Sequence, residues 1–141
     1  MIAYFDTSAF LTLVVDELGS EQAIELWTSA DQVVSSALLY PESRAALAMA
    51  HRLRRLSPAE GIAARTELEA LFADLAVVNA TIDLLRRAGD LAEIYALHGS
   101  DAVHLASIEA VGDPETVMVT TDRRLRTAAQ DRGLAIANLP A

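Results

Sequence analysis

Five short stretches of the chain are apolar and unbroken, and the longer segments between them bring apolar residues round every three or four positions. Ile2–Phe5 reads as a short buried strand. Thr7 or Ser8 then caps a helix running to about Glu17, with Phe10, Leu11, Val14 and Leu18 on one face. Gly19-Ser20 breaks the chain and caps a second helix over residues 20–30, which carries Ile24 and Trp27. Residues 32–35 form a second strand around a Val pair. A long helix over residues 37–56 holds Pro41 in its first turn, where a missing N–H does little harm. Ser57-Pro58 stops that helix and starts another, which runs to about Asp74. Ala76–Val78 is a third strand, and residues 81–97 a helix with Gly89 as its weak point. Gly99 ends that helix and Ser100 caps the next, residues 101–111. After the loop Gly112-Asp113-Pro114, residues 116–120 (TVMVT) give the strongest strand signal, β-branched and unbroken. A helix over residues 123–132 ends at Gly133, and residues 134–137 are a last strand.

Short apolar strands alternating with helices predict an α/β fold, a layered sandwich around a mainly parallel sheet. The 141 residues suit a single domain, 1–141, and with 52% hydrophobic residues the core needs no covalent staples. No stretch of roughly eighteen apolar residues free of charge appears, so no membrane span is expected. The first residues show neither a basic leader nor a small-residue cleavage site, and a cytoplasmic protein is expected.

There is no cysteine, which excludes disulfides, thiolate zinc sites and cysteine nucleophiles. All eleven basic residues are arginine. Without lysine, P-loop and Schiff-base chemistry fall away. The net charge of −9 excludes binding to nucleic acid by bulk charge, though not by local basic groups.

Two strands end in the same way. FDTSA follows the first with Asp6, and VTTD follows the strongest with Asp122. In an open parallel sheet ligands sit at the carboxyl ends of the strands, so neighbouring strands would bring these acids to one edge. Asp101 and Glu42 lie near helix starts, which can face the same edge. Singly, each acid has an ordinary explanation as an N-cap or as a complement to the helix dipole, worth about 0.3–1 kcal/mol. Four acids at element boundaries beside small residues point instead to a shared task. Converging carboxylates repel unless a cation joins them. An all-oxygen donor set suits Mg²⁺ or Mn²⁺, and such a site fits phosphoryl transfer to water.

The stretches YFDTSAFL, YPESRAAL, GSDAVHLASIEA and VTTDRRLRTAA, in this order and spacing, resemble the PIN-domain ribonucleases, in particular VapC-type toxins of bacterial toxin–antitoxin pairs. The resemblance spans nearly the whole chain. It implies a three-layer α/β/α fold with a twisted, mainly parallel sheet and a Mg²⁺- or Mn²⁺-binding acidic site. By that resemblance Asp6 and Asp101 are metal ligands, Glu42 and Asp122 complete the site, and Ser8 orients Asp6 or a metal-bound water. It implies an RNA substrate, often structured tRNA or ribosomal RNA, a homodimer, and silencing by a small antitoxin. Pro41 directly before Glu42 departs from the pattern and bears on the angle at which Glu42 enters.

Arg123, Arg124 and Arg126 follow Asp122 and can grip RNA phosphate or form a solvated helix face. Arg44 lies within a turn of Glu42, near enough to approach substrate. Arg52, Arg54 and Arg55 end the long helix, where cations favour its dipole, and a projecting hairpin tip there would meet RNA or a partner. His104 shares a helix face with Asp101 and reads as structural rather than as a ligand. The stripe of Phe10, Leu11, Leu13, Val14, Leu18, Ile24 and Trp27 reads as core, with part of it able to seat an antitoxin helix. Two other functions are open: a non-catalytic PIN-like binding module, and a haloacid-dehalogenase-like phosphatase. The latter chemistry wants an acid where Ser8 stands and a downstream lysine.

Overall fold

The computed structural model describes residues 1–140. Five strands, β1 (Ile2–Phe5), β2 (Gln32–Ser36), β3 (Ala76–Val78), β4 (Val117–Thr120) and β5 (Ala135–Asn138), form one sheet in the order β3-β2-β1-β4-β5. Every pairing is parallel. Seven helices connect and cover them: α1 (Thr7–Val14), α2 (Ser20–Ser29), α3 (Leu39–Arg52), α4 (Pro58–Ala73), α5 (Ile82–Tyr95), α6 (Gly99–Val111) and α7 (Arg123–Asp131).

The two-residue period of the strands divides the core into halves. Ala3, Phe5, Val33 and Val119 face one side, against Phe10 of α1, Ala23 of α2, and Leu39 and Leu68 of the α3–α4 pair. Tyr4, Val34 and Met118 face the other, against Leu91 of α5, Leu105 of α6 and Leu125 of α7. Both faces are covered, which is why the strands read as unbroken apolar runs. Trp27 stands edge-on to Phe5 at 5.3 Å between ring centroids and seals the first half. This is the expected three-layer α/β/α architecture with an all-parallel sheet.

Local signals fix the helix starts. Ser57 accepts from the Glu60 N–H and Glu60 returns a bond to the Ser57 N–H, a capping box with Pro58 at the first position. Thr81 caps α5. Some boundaries differ from the sequence expectation. The cap of α1 is Asp6, not Thr7 or Ser8. The same helix stops at Val14, because the extended Val15 leads into Asp16, and the Ser20 hydroxyl takes up the Glu17 N–H. The long helix is shorter too, Leu39–Arg52. Helix α6 starts at Gly99 with His98 in the cap position, and Ser100 lies in the first turn. Leu18 and Ile24, placed in the apolar stripe, are exposed. Among the described residues, no helix is long and apolar enough to cross a membrane.

Candidate active site

The chain builds β1, β2 and β3 outward on one side, then crosses to β4 and β5 on the other. The direction reverses between β1 and β4, and both strands end in an acid at that point. Such a switch point is where open parallel sheets bind ligands. Asp6 is almost wholly buried, and three donors hold its carboxylate. Oδ1 accepts from the Ser8 hydroxyl at 2.7 Å and the Ala9 N–H at 2.9 Å, and Oδ2 accepts from the Thr120 hydroxyl at 2.6 Å. Thr120 in turn accepts from the Asp122 N–H at 3.0 Å, and Ser8 accepts from the Thr121 N–H at 3.0 Å. The ends of β1 and β4 are thereby locked together through one carboxylate. Burial pushes the Asp6 carboxyl up, and His104 and the three donors oppose that.

Glu42 sits in the first turn of α3, half-buried. Its Oε1 accepts from the Thr7 hydroxyl at 2.8 Å and lies 2.9 Å from His104 Nε2. Burial would raise this carboxyl, but His104, Thr7 and Ser100 outweigh it and hold Glu42 below its ordinary range. His104 is 2% exposed and uses both ring nitrogens, with Nδ1 2.8 Å from the Tyr4 hydroxyl. An ionised carboxylate only accepts, so Nε2 carries the proton toward Glu42. Tyr4 is fully buried, and burial raises its hydroxyl far above the ordinary range, so it stays protonated.

Asp101 stands in the first turn of α6, one helical turn before His104, and is partly exposed. Its carboxyl is pushed up, first by burial and then by the charges of Asp122 and Asp6. Asp122 caps α7 by accepting from the Leu125 N–H at 2.8 Å. Asp6, Asp101 and Asp122 thus share one edge, where the charges of Asp122 and Asp6 act on Asp101, and Glu42 joins them through Thr7 and His104. No group of three or more His, Asp or Glu side chains among the described residues is already drawn in to hold a metal ion. A Mg²⁺ or Mn²⁺ site still fits the donor set. Mg²⁺ keeps several waters and takes one or two carboxylates directly, so it needs no preformed cage, and a cation relieves the repulsion recorded at Asp101.

The arginines divide. Arg123 and Arg124 are exposed at the start of α7. Arg126 points inward, donating to the carbonyls of Leu139 at 3.1 Å and Thr120 at 3.4 Å, so its guanidinium ties the β5 end to β4 rather than facing substrate. Arg44 donates to the Tyr40 hydroxyl at 2.7 Å and lies 3.7 Å from Glu69. Sequence reasoning missed the grip of Thr7, Ser100 and His104 on Glu42 and of Thr120 on Asp6. Only the hydroxyls flanking each strand-end acid hinted at it, and Thr7 turns to Glu42 rather than to its neighbour Asp6.

A parallel sheet ending in these acids defines a class, and residues 3–131 match the PIN domain family. The chain belongs to that family, which sets aside the phosphatase alternative. It is similar to Ribonuclease VapC45 and Ribonuclease VapC49 of two Mycobacterium tuberculosis strains, each 46% identical over 136 residues, covering 96% of this chain and 94% of the relative. Two solved structures share the fold. PAE2754 from Pyrobaculum aerophilum has a TM-score of 0.72 at 20% identity, covering 96% of this chain and 89% of that one. VapC20 of M. tuberculosis, described as a sarcin-ricin loop cleaving toxin, has a TM-score of 0.69 at 21% identity, covering 89% of this chain and 94% of that one.

Proposed function

We propose that this protein is a Mg²⁺- or Mn²⁺-dependent endoribonuclease, the toxin of a toxin–antitoxin pair, restrained in the cytoplasm by a small cognate antitoxin and acting as a homodimer. The observation that carries the reading is the approach of Asp6, Asp101 and Asp122 at the β1/β4 switch point, with Asp101 pushed up by burial and by the charges of Asp122 and Asp6, and Glu42 tied to the same edge through Thr7 and His104. The ribonuclease relatives at 46% identity support the RNA substrate. A fold relative from Klebsiella pneumoniae, solved as a toxin–antitoxin complex with a TM-score of 0.60 at 22% identity, is in keeping with an antitoxin partner.

Asp6 and Asp101 would hold the cation directly, and Glu42 and Asp122 directly or through water. A divalent cation bound there supplies charge to polarise the phosphodiester and to lower the pKa of an attacking water. The protein's own groups do the positioning. Ser8 and Thr120 keep Asp6 from turning, and Thr7 and His104 keep Glu42 from turning. Arg123 and Arg124, beside Asp122 and exposed to solvent, would take phosphate oxygens.

The test is cleavage of RNA in Mg²⁺ or Mn²⁺, stopped by EDTA and absent from Asp6→Asn and Asp101→Asn proteins that still fold. Full activity in both variants would sink the assignment. A second reading, a non-catalytic binding module, has an observation in its favour: Asp6 and Asp122 both serve as helix caps. RNA binding without cleavage at any divalent-ion concentration would establish it.

A further inference from the structure

The chain has nearly twice as many acids as bases, yet residues 43–66 hold five of its eleven arginines and one acid, Glu60. That is a local balance of +4 in a chain of −9. The segment is the outer part of the hairpin of α3 and α4, whose sheet-side ends add Glu42, Glu67 and Glu69 and bring the whole hairpin to +1, so the positive charge is gathered toward the tip. Topology decides where it points. Strand β2 ends at the carboxyl edge of the sheet, and β3, parallel to it, begins at the amino edge. Helix α4 must therefore travel back toward the amino edge, so α3 leads away from the sheet past the carboxyl edge. In keeping with this, α3 and α4 pack chiefly on each other and on α1. By this argument the hairpin tip lies beyond the carboxyl edge, the edge that bears the acids.

Arg52, Arg54 and Arg55 line a depression at this tip, and all three are exposed. The charge pairs of the described residues leave them without a carboxylate partner, although acids are in excess. Glu60, the acid of that depression, spends its carboxylate on the Ser57 N–H. The helix dipole favours Arg52 but does not reach Arg65, which is exposed midway along α4. The turn itself is informative. Arg55 N–H bonds to the Ala50 carbonyl and Arg54 N–H to that of His51, a helix-ending motif whose left-handed residue is usually glycine. Here that residue is Arg54, at φ 58. The backbone would be served better by glycine, so a charge is displayed at a conformational cost.

We propose that Arg52, Arg54 and Arg55 form a second phosphate-binding site for the RNA substrate, separate from the acidic cluster and engaged only by RNA long enough to span both. This rests on the ribonuclease reading. From Glu42 to Arg52 is about 15 Å along α3 at 1.5 Å per residue. At ~3.4 Å per stacked nucleotide, a strand needs about four to five nucleotides to bridge the two. An acidic protein repels RNA at long range, and this tip supplies the opposing charge.

The experiment uses labelled bulk tRNA and a three-nucleotide RNA, with affinity measured by anisotropy or competition across a NaCl series. The host is the full chain carrying Asp101→Asn, to prevent cleavage. Combining R52A, R54A and R55A is expected to weaken tRNA binding at least tenfold and to lower the slope of log affinity against log salt by roughly 2–3, at ~0.7–0.9 per phosphate contact. Trinucleotide affinity stays unchanged, and lysine at the three positions restores most of the slope. R52Q with R55Q, which leaves the left-handed position alone, guards against misfolding and should give about two-thirds of the loss. Unchanged tRNA affinity and slope would overturn the proposal, as would equal weakening for the trinucleotide. Loss of a protein partner with RNA binding intact would assign the arginines to that partner and overturn it as well. Cleavage by the Asp101 protein with unchanged tRNA affinity in the variants leaves the ribonuclease reading standing without the second site. Arginine-dependent binding without cleavage does the reverse.

Discussion

Asp6 and Asp101 share one edge of the molecule, and burial pushes both carboxyls up, yet their surroundings are opposite. Asp6 ends a core strand, caps α1 and accepts three hydrogen bonds. Asp101 lies partly exposed in the first turn of α6, and the charges of Asp122 and Asp6 push its carboxyl further up. The first carboxylate is part of the fold's construction, and the second is held against the fold's own interest. An acid kept where it is repelled marks function more clearly than one that is also a cap, because its one structural gain, a favourable place in the first turn of a helix, is opposed by burial and by neighbouring charge.

The largest test of this contrast is to remove each acid and measure activity and stability together. Both Asp6→Ala and Asp101→Asn should lose more cleavage than the ~10–100-fold typical of residues that only position a metal ligand. Stability should split. Asp6→Ala removes a cap worth about 0.5–2 kcal/mol and leaves the Ser8 and Thr120 hydroxyls short of an acceptor, at roughly 1–3 kcal/mol for a buried unpaired group. Urea denaturation should show that loss for Asp6→Ala and none for Asp101→Asn. Equal destabilisation by both would break the comparison.

A second, smaller test falls on Glu42, which resembles Asp6 in being held by donors. His104→Ala removes one donor from Glu42 and takes the Nδ1 acceptor from the buried Tyr4 hydroxyl. Cleavage should fall about 10–100-fold, with stability lower by roughly 1–3 kcal/mol. Tyr4→Phe takes away only the outer partner of the ring and should cost less on both counts. If Tyr4→Phe equalled His104→Ala in activity, the ring would act through something other than its bond to Glu42. Thr120→Val is the matching change on the other side, since it removes the 2.6 Å bond to Asp6. Circular dichroism melts and cleavage rates should place it between the two.

The sheet and the edge location of the acids were legible because each is written locally. A strand buried on both faces must be an apolar run, and an acid directly after it must lie at the strand's end. What joins the acids was not legible. Glu42 meets His104 across 62 residues of sequence, and Thr120 meets Asp6 across 114. No periodicity encodes such pairings, which arise only when β4 is laid beside β1 and α6 is packed behind them. The same limit explains Arg126. Its place after Asp122 suggested substrate, but it stands on the side of α7 that turns toward the Leu139 carbonyl. Helix ends were missed where caps compete: Asp6, Thr7 and Ser8 are all good N-caps, and the sequence alone does not rank them.

The finest test of the contrast is the pH dependence of the Asp101→Asn gain. Two effects oppose each other at Asp101. A negative charge in a helix's first turn is favourable by about 0.3–1 kcal/mol, whereas burial and the charges of Asp122 and Asp6 are unfavourable. Burial and those two charges carry the carboxyl above its ordinary value of 3.8. The folded chain then binds this proton more tightly than the unfolded chain does. Stability from Asp101 is greatest below pH 3.8 and is lost as pH rises through the raised folded value. Asparagine never ionises, so the melting-temperature difference between Asp101→Asn and the parent should be near zero in acid. It should open as pH rises and be level by neutral pH, at roughly 2–4 °C per kcal/mol relieved. Millimolar Mg²⁺ should narrow the neutral-pH difference by stabilising only the parent. A difference that does not vary with pH, or a less stable Asn variant at neutral pH, would show that the helix dipole outweighs the repulsion and that Asp101, like Asp6, helps to hold the fold.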